Sequence, residues 1–375
     1  MESISSQPHK NFSDMISDWL KTAVGRIIAS ICALLVMVIV LYGGFIFLRD
    51  TDLPQPLMII IAILWGVGGA ALDYYLTNFV VEMLPGEWPR RLQPFVFVGP
   101  AVFLMAWALA IPTVRTLALS FFDANSINFV GFRNYVFAFT DRIMLEAFRN
   151  NLLWLVVGTS FCVSFGLLIA VLANRTRLES LYKSLIFMPQ AISFVGAGVI
   201  WKFIYAYRGS GTGLPEIGLL NAIVVALGGT AQPWLQLFPW NNLFLIVIFI
   251  WMQTGYAMVI LSSAIKDVPA ELEEAARIDG ATEVQVFFHI VIPYIQGTLI
   301  TVSTTIVIFS LKLFDIVRVM TGGNYGTNVI ANEFYLERFT YGQAGRASAI
   351  AIVLLILVIP VIVYNLRQFR ESKAF

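Results

Sequence analysis

Eight stretches of apolar residues, each about 20 or more long and so able at 1.5 Å per residue to cross some 30 Å of hydrocarbon, recur along the 375-residue chain. They fall near 24–48, 55–81, 94–119, 150–173, 184–205, 242–265, 293–313 and 347–365. Their apolar residues run continuously and do not alternate. In lipid each span must satisfy its own backbone hydrogen bonds, so the expectation is an all-α, polytopic membrane protein with eight transmembrane helices, not a barrel. With 58% hydrophobic and 13% charged residues, the chain lies outside the range of soluble globular domains. The first apolar run follows a polar leader with acidic Asp14 and Asp18 and is too long for a signal-peptide core, so it reads as a retained anchor.

Basic residues beside the spans predict the orientation. With the N-terminus inside, thirteen of them, including Lys10, Lys21, Arg90, Arg91, Arg175, Arg177, Lys183, Lys266, Arg277 and Lys373, are cytoplasmic, against eight outside. Both termini are then cytoplasmic, and so is the polar island that separates the sixth and seventh spans. Pro85, Gly86 and Pro89 mark a break, which divides the chain into 1–91, a tail and a two-helix hairpin, and 92–375, a six-helix core. In the hairpin, Gly66, Gly68, Gly69, Ala70 and Ala71 either permit close helix contact or form a lipid-facing turn.

The polar island, within 266–293, has strong local signals. Pro269 suits the first turn of a helix, and Glu271, Glu273 and Glu274 suit its positive end. Gly280 fits a left-handed C-cap that stops it. Thr282 and Gln285 have capping-box spacing, and Val284, Phe287, Phe288 and Val291 fall at i, i+3, i+4 and i+7, so a second, amphipathic helix is expected at once. The result is a helix-turn-helix elbow.

Glu271, Glu274-Ala275-Ala276, Asp279-Gly280-Ala281, Phe287, Ile290 and Pro293 resemble the coupling loop of permease subunits in binding-protein-dependent type I ATP-binding-cassette importers. Ile292 and Gln296 depart from the usual leucine and second proline without touching the elbow. Phe129 to Tyr135, Gly218-Leu219-Leu220-Asn221, and Thr321-Gly322-Gly323 with Gly342 to Ala349 resemble the outer loops of the carbohydrate-uptake branch. The resemblance implies a cell-inner-membrane permease core that translocates a sugar or sugar-like solute. It also implies a second homologous permease subunit, two ATPase subunits and an extracytoplasmic solute-binding protein as partners beside the lipid bilayer.

Motifs for chemistry are missing. Gly209, Gly211 and Gly213 are followed by no Gly-Lys-Ser/Thr and read as a flexible turn; no GxSxG or HExxH occurs, and His9 and His289 stand far apart. Catalysis, a metal site and a bound cofactor are not expected here, so ATP and magnesium belong to the partner ATPases. A net charge of +1 and the lack of a basic run with interleaved aromatics give no sign of nucleic acid. Cys32 and Cys162, both inside spans, imply no disulfide framework.

Polar groups within spans are costly and mark functional positions. Gln190 and Gln253 lie well inside helices, Asp73 is the one mid-span carboxylate, and Lys312 and Asp315 are spaced to meet on one helix face. Similarity to the larger membrane subunit of maltose importers places the sugar-site positions on Gln190, Phe194, Trp251, Met252, Gln253, Phe309 and Lys312, of which only Trp251 keeps its residue type. An alternative substrate is a non-sugar solute. A rival class is an ion-coupled secondary transporter, which calls for internal repeats and buried mid-membrane carboxylates.

Overall fold

The computed structural model describes residues 19, 22–209 and 217–372. The expectations for His9, Lys10, Asp14, Asp18, Lys21, Gly211, Gly213 and Lys373 concern residues outside this range. The described residues are nearly all helical, with one isolated antiparallel bridge between Phe122 and Phe129. Seven helices are long and apolar enough to span a membrane, and eight spans result if one sharply bent pair counts as a span.

The chain packs as two compact units, Met1–Thr113 and Val114–Phe375. In the first, α1 (Ala23–Asp50) and α2 (Gln55–Glu82) form a hairpin. The Trp65 indole donates to the Val40 carbonyl at 3.2 Å. Of the patch's glycines, only Gly69 makes the close approach, where an added Cβ would lie 3.0 Å from the Leu41 side chain; at Gly66 and Gly68 it would meet nothing. Helix α3 (Trp88–Leu119), within which the two units divide, is held to α2 by the Tyr74 hydroxyl donating to the Phe97 carbonyl at 3.1 Å.

The second unit contains α4 (Arg133–Thr140), α5 (Arg142–Asn174), α6 (Glu179–Phe187), α7 (Phe194–Ile204), α8 (Leu219–Ala226) and α9 (Asn241–Lys266). It continues with α10 (Ala270–Ile278), α11 (Glu283–Val286), α12 (Gln296–Leu311), α13 (Asp315–Met320), α14 (Ile330–Tyr335) and α15 (Ala344–Ser372). Helix α9 is the axis. Its Phe249, Met258 and Leu261 are fully buried in one cluster with Trp154 and Cys162 of α5. Glycine permits the closest approach: a Cβ on Gly166 would stand 2.5 Å from that of Ala257, and one on Gly255 2.6 Å from the Ile186 carbonyl oxygen.

Two expectations about the spans are corrected. The stretch 184–205 is not one helix: α6 tightens at Met188–Ala191 and α7 leaves at 101°. Pro189 has no N–H to continue the ladder, and Ser193, in extended conformation, caps α7 by accepting from the Gly196 N–H at 3.0 Å. Lys312 and Asp315 do not share a helix face. Lys312 caps the end of α12 and Asp315 opens α13, and no ion pair joins them among the described residues.

At the Asn241 end of α9, buried asparagines pin the loop 321–328. Asn150 Nδ2 donates to the carbonyls of Gly326 and Asn328 at 2.9 and 2.8 Å, and Asn242 Nδ2 to that of Gly326 at 3.1 Å. Asn221 does the same for another loop, donating to the Ala206 and Gln232 carbonyls at 3.0 Å each.

Candidate functional site

At the Lys266 end of α9 the polar island folds as an elbow. Pro269 is the N-cap of α10, and Glu271 and Glu273 sit in its first turn. Gly280 has φ +85°, the Gly280 N–H donates to Arg277 O at 3.1 Å, and the Ala281 N–H to Ala276 O at 3.0 Å. This is a Schellman stop, which satisfies carbonyls that the helix end leaves free. The chain then restarts through a capping box: the Thr282 N–H donates to Gln285 Oε1 at 2.8 Å, and Thr282 Oγ1 accepts from the Gln285 N–H at 3.4 Å.

The second arm differs from its expected pattern. After Val286 one turn, Phe287–Val291, widens to π geometry, which rotates the residues beyond it. The buried face is therefore Val286, Val291 and Ile295, with Phe287 and Ile290 packed beside Val291 and Ile295, while Val284 and Phe288 of the expected apolar stripe are exposed. Between the arms lies a concavity of about 370 Å³ lined by Ala276, Asp279, Gly280, Ala281, Gln285 and Ile290 among others.

Charge ties the elbow together and to the bundle. Arg277 Nε donates to Glu283 at 2.7 Å and Nη2 to Glu273 at 2.8 Å; Arg175, at the end of α5, reaches Glu283 at 3.3 Å. Arg277 holds the Glu283 carboxyl below the usual carboxylate range, and the Arg277 pKa is raised in return, mainly by Glu283. Behind them, Lys183 bonds both Glu179 and Ser262, and Ser262 Oγ donates to Asn174 Oδ1 at 2.6 Å, which ties α5, α6 and α9.

The outward side of α10 is apolar for a segment in water. Ile278 is 85% exposed, and Leu272 and Ala275 lie at i, i+3 and i+6 with it, all exposed. Glu271, Glu274, Asp279 and Gly280 are exposed around them, and Pro293 is exposed at the end of the second arm. Leu272 and Ile278 were not singled out from the sequence, and Arg277 served there only as a marker of orientation. The signal for the apolar pair was an isolated i, i+3, i+6 stripe in a polar segment.

The seven positions implied for the sugar site separate into groups. The Gln190 amide donates to Gln253 Oε1 at 3.1 Å, joining the turn after α6 to α9 at the helix break. Trp251 and Phe194 are half-buried against the same cluster, and Trp201, another residue missed from sequence, stands edge-on to Trp251 with ring centroids 5.8 Å apart. Met252 is instead buried inside the main cluster. Phe309 and Lys312 are exposed near the end of α12, and no hydrogen bond or ring contact links them to the others among the described residues. The polar pair beside aromatic faces has the composition a sugar requires, rings for its apolar faces and amides for its hydroxyls.

Comparison with known proteins shows the family of the chain. The family described as "Binding-protein-dependent transport system inner membrane component" matches residues 163–373. The osmoprotective compounds uptake permease protein GgtC of Synechocystis sp. is 56% identical over 278 residues, covering 74% of this chain and 99% of its own length. The alpha-glucoside transport system permease protein AglF of Rhizobium meliloti is 44% identical over 335 residues, covering 85% and 99%. A chain from the crystal structure of a bacterial alginate ABC transporter, bound to its alginate pentasaccharide-loaded periplasmic protein, superposes with a TM-score of 0.66 at 18% identity. That match covers 76% of this chain and 98% of the other, and it establishes the shared fold. With its elbow, its spans and these relatives, the chain belongs to the family of inner-membrane components of binding-protein-dependent transport systems.

Proposed function

We propose that the chain is the membrane-spanning subunit of an ATP-driven importer for a sugar or sugar-like solute, and that its elbow is the lever on which a separate ATPase acts. The observation that carries this reading is the elbow itself: two capped helical arms at a fixed angle, with an unpartnered apolar stripe outward and an ion-pair network inward. Burying Ile278 in a partner contributes about 1.5 to 3 kcal/mol, which favours a protein cleft as the seat of α10. On this reading both termini and the elbow face the cytoplasm. The partners are a second homologous permease subunit, two ATPase subunits, which hold ATP and magnesium, and a solute-binding protein on the other face.

Closure of the ATPases then pushes α10. The Arg277–Glu283–Arg175 contacts and the packing of Val268 on Val291 and Ile295 pass that push to α5, α9 and α12. Gln190, Gln253, Trp251 and Phe194, at the break between α6 and α7, line the solute path. The names of the relatives support a glucoside or a small polar osmoprotectant as the solute. In membranes containing the whole importer, Ala275→Cys is expected to form a disulfide with a cysteine placed in the ATPase cleft, with a yield that changes on ATP addition. Cross-linking of Ala275→Cys only to lipid-facing or outer-face probes would overturn the placement.

A further inference from the structure

A second concavity, of about 520 Å³, opens at the end of the bundle opposite the elbow, between α5 and the start of α9. Its walls are mostly Leu152, Leu153, Val156, Val157 and Leu243, with the buried Asn150 and Asn242 beside them, and its rim is Arg149 with Pro239 and Trp240. Leu152 and Val156 are 62% and 53% exposed within a membrane-spanning helix, so the apolar side of the groove is uncovered in this chain. From Arg149 to Val157 the helix advances about 12 Å, and polarity falls along that path from a guanidinium to bare aliphatic walls.

Arg149 is exposed, it donates to neutral Asn150 Oδ1 at 3.2 Å, and it lies over the Phe238 ring at 5.8 Å. Among the described residues no carboxylate stands within 4.0 Å of it; the ion pairs of the molecule lie elsewhere. Trp240 and Phe238, each 62% exposed, flank it as rings do at the level of lipid headgroups. A cation held at headgroup depth above an apolar trough complements one amphiphile: an anionic phosphate joined to acyl chains.

We propose that this groove is a binding site for a phospholipid, with the phosphate on Arg149 and an acyl chain along Leu152, Leu153, Val156 and Val157. A groove of this volume is within the range of small-ligand sites, and its long apolar wall below a single cation suits an acyl chain under an anionic headgroup. A bound lipid fills the space between α5 and α9 beside the asparagines that pin the 321–328 loop, and so supports that end of the bundle.

Native mass spectrometry of the purified importer, titrated with phosphatidylglycerol or with a galactolipid that lacks phosphate, tests the site. The parent is expected to retain phosphatidylglycerol and not the galactolipid. Arg149→Gln removes the charge-assisted bond and is expected to weaken retention about tenfold. Val156→Trp fills the trough and is expected to abolish it while Arg149 remains. Equal retention of both lipids, or retention unchanged in both variants, overturns the proposal. So does a disulfide from Leu152→Cys to the second permease subunit, because it means that a protein helix occupies the groove.

Discussion

Gly280 is the residue on which the elbow turns. Its φ of +85° strains any L side chain, yet an added Cβ would meet no atom within 4 Å, so the penalty at this position is purely conformational. Gly280→Val is expected to lower solute-stimulated ATP hydrolysis of the assembled importer by about tenfold or more, through a strain of about 1 to 3 kcal/mol. Gly280→Asn, a residue that visits the left-handed region, is expected to retain most of it. Equal loss in both variants would point to side-chain bulk in place of backbone strain. The identity of this glycine was legible in the sequence because a C-cap is a local device. The contacts of Glu283 with Arg277 and Arg175 were not, since Glu283 and Arg175 become neighbours only once the elbow closes onto α5.

Glu337 shows the opposite case, a buried carboxylate that sequence gave no reason to single out. It is 4% exposed, its Oε2 has no hydrogen-bond partner among the described residues, and Arg346 stands 3.7 Å from its other oxygen. Burial pushes its pKa up to about 7, against the partial opposition of Arg346. The fold therefore favours the protonated acid. Its stabilising contribution is complete below the ordinary carboxylate range, declines as pH rises through that range, and is gone above about 7. Thermal unfolding of the parent is expected to occur at lower temperature at about pH 8 than at about pH 5, with Glu337→Gln reducing that difference. An unchanged pH profile in Glu337→Gln would remove Glu337 as its cause.

At the scale of elements, the spans were legible and their breaks were not. Continuous apolar runs give length and helical type, because lipid leaves few other backbone solutions. Pro189 marks the break between α6 and α7, but the 101° angle between them is set by the packed structure and has no local signature. The π turn at Phe287–Val291 was equally hidden, and in the resulting arm Val284 and Phe288 of the expected apolar stripe lie at the surface. The break after α6 brings Gln190 onto Gln253, so the proposed solute region is a product of that bend. Trp251→Ala and Gln253→Ala are each expected to reduce solute uptake about tenfold, since an unpaired sugar hydroxyl costs about 1 to 3 kcal/mol, with membrane levels unchanged. Uptake within about twofold of the parent for both would remove these residues from the path.

At the scale of the whole molecule, the elbow and the solute region lie on one continuous body. Helix α9 carries Gln253 in its middle and delivers the chain to the elbow at Lys266, so a push on α10 acts directly on the element that holds the candidate site. Asp73, the mid-span carboxylate that a secondary transporter would use, sits in the other compact unit, with Thr77 Oγ1 at 3.5 Å. The most direct measurement is solute uptake into proteoliposomes that contain this chain with its partner permease, ATPase subunits and binding protein. Uptake is expected to require internal ATP and to fall to background with Gly280→Val, while an imposed proton or sodium gradient without ATP drives none. Uptake sustained by the ion gradient alone, or undiminished when the ATPase subunits are omitted, would contradict the account.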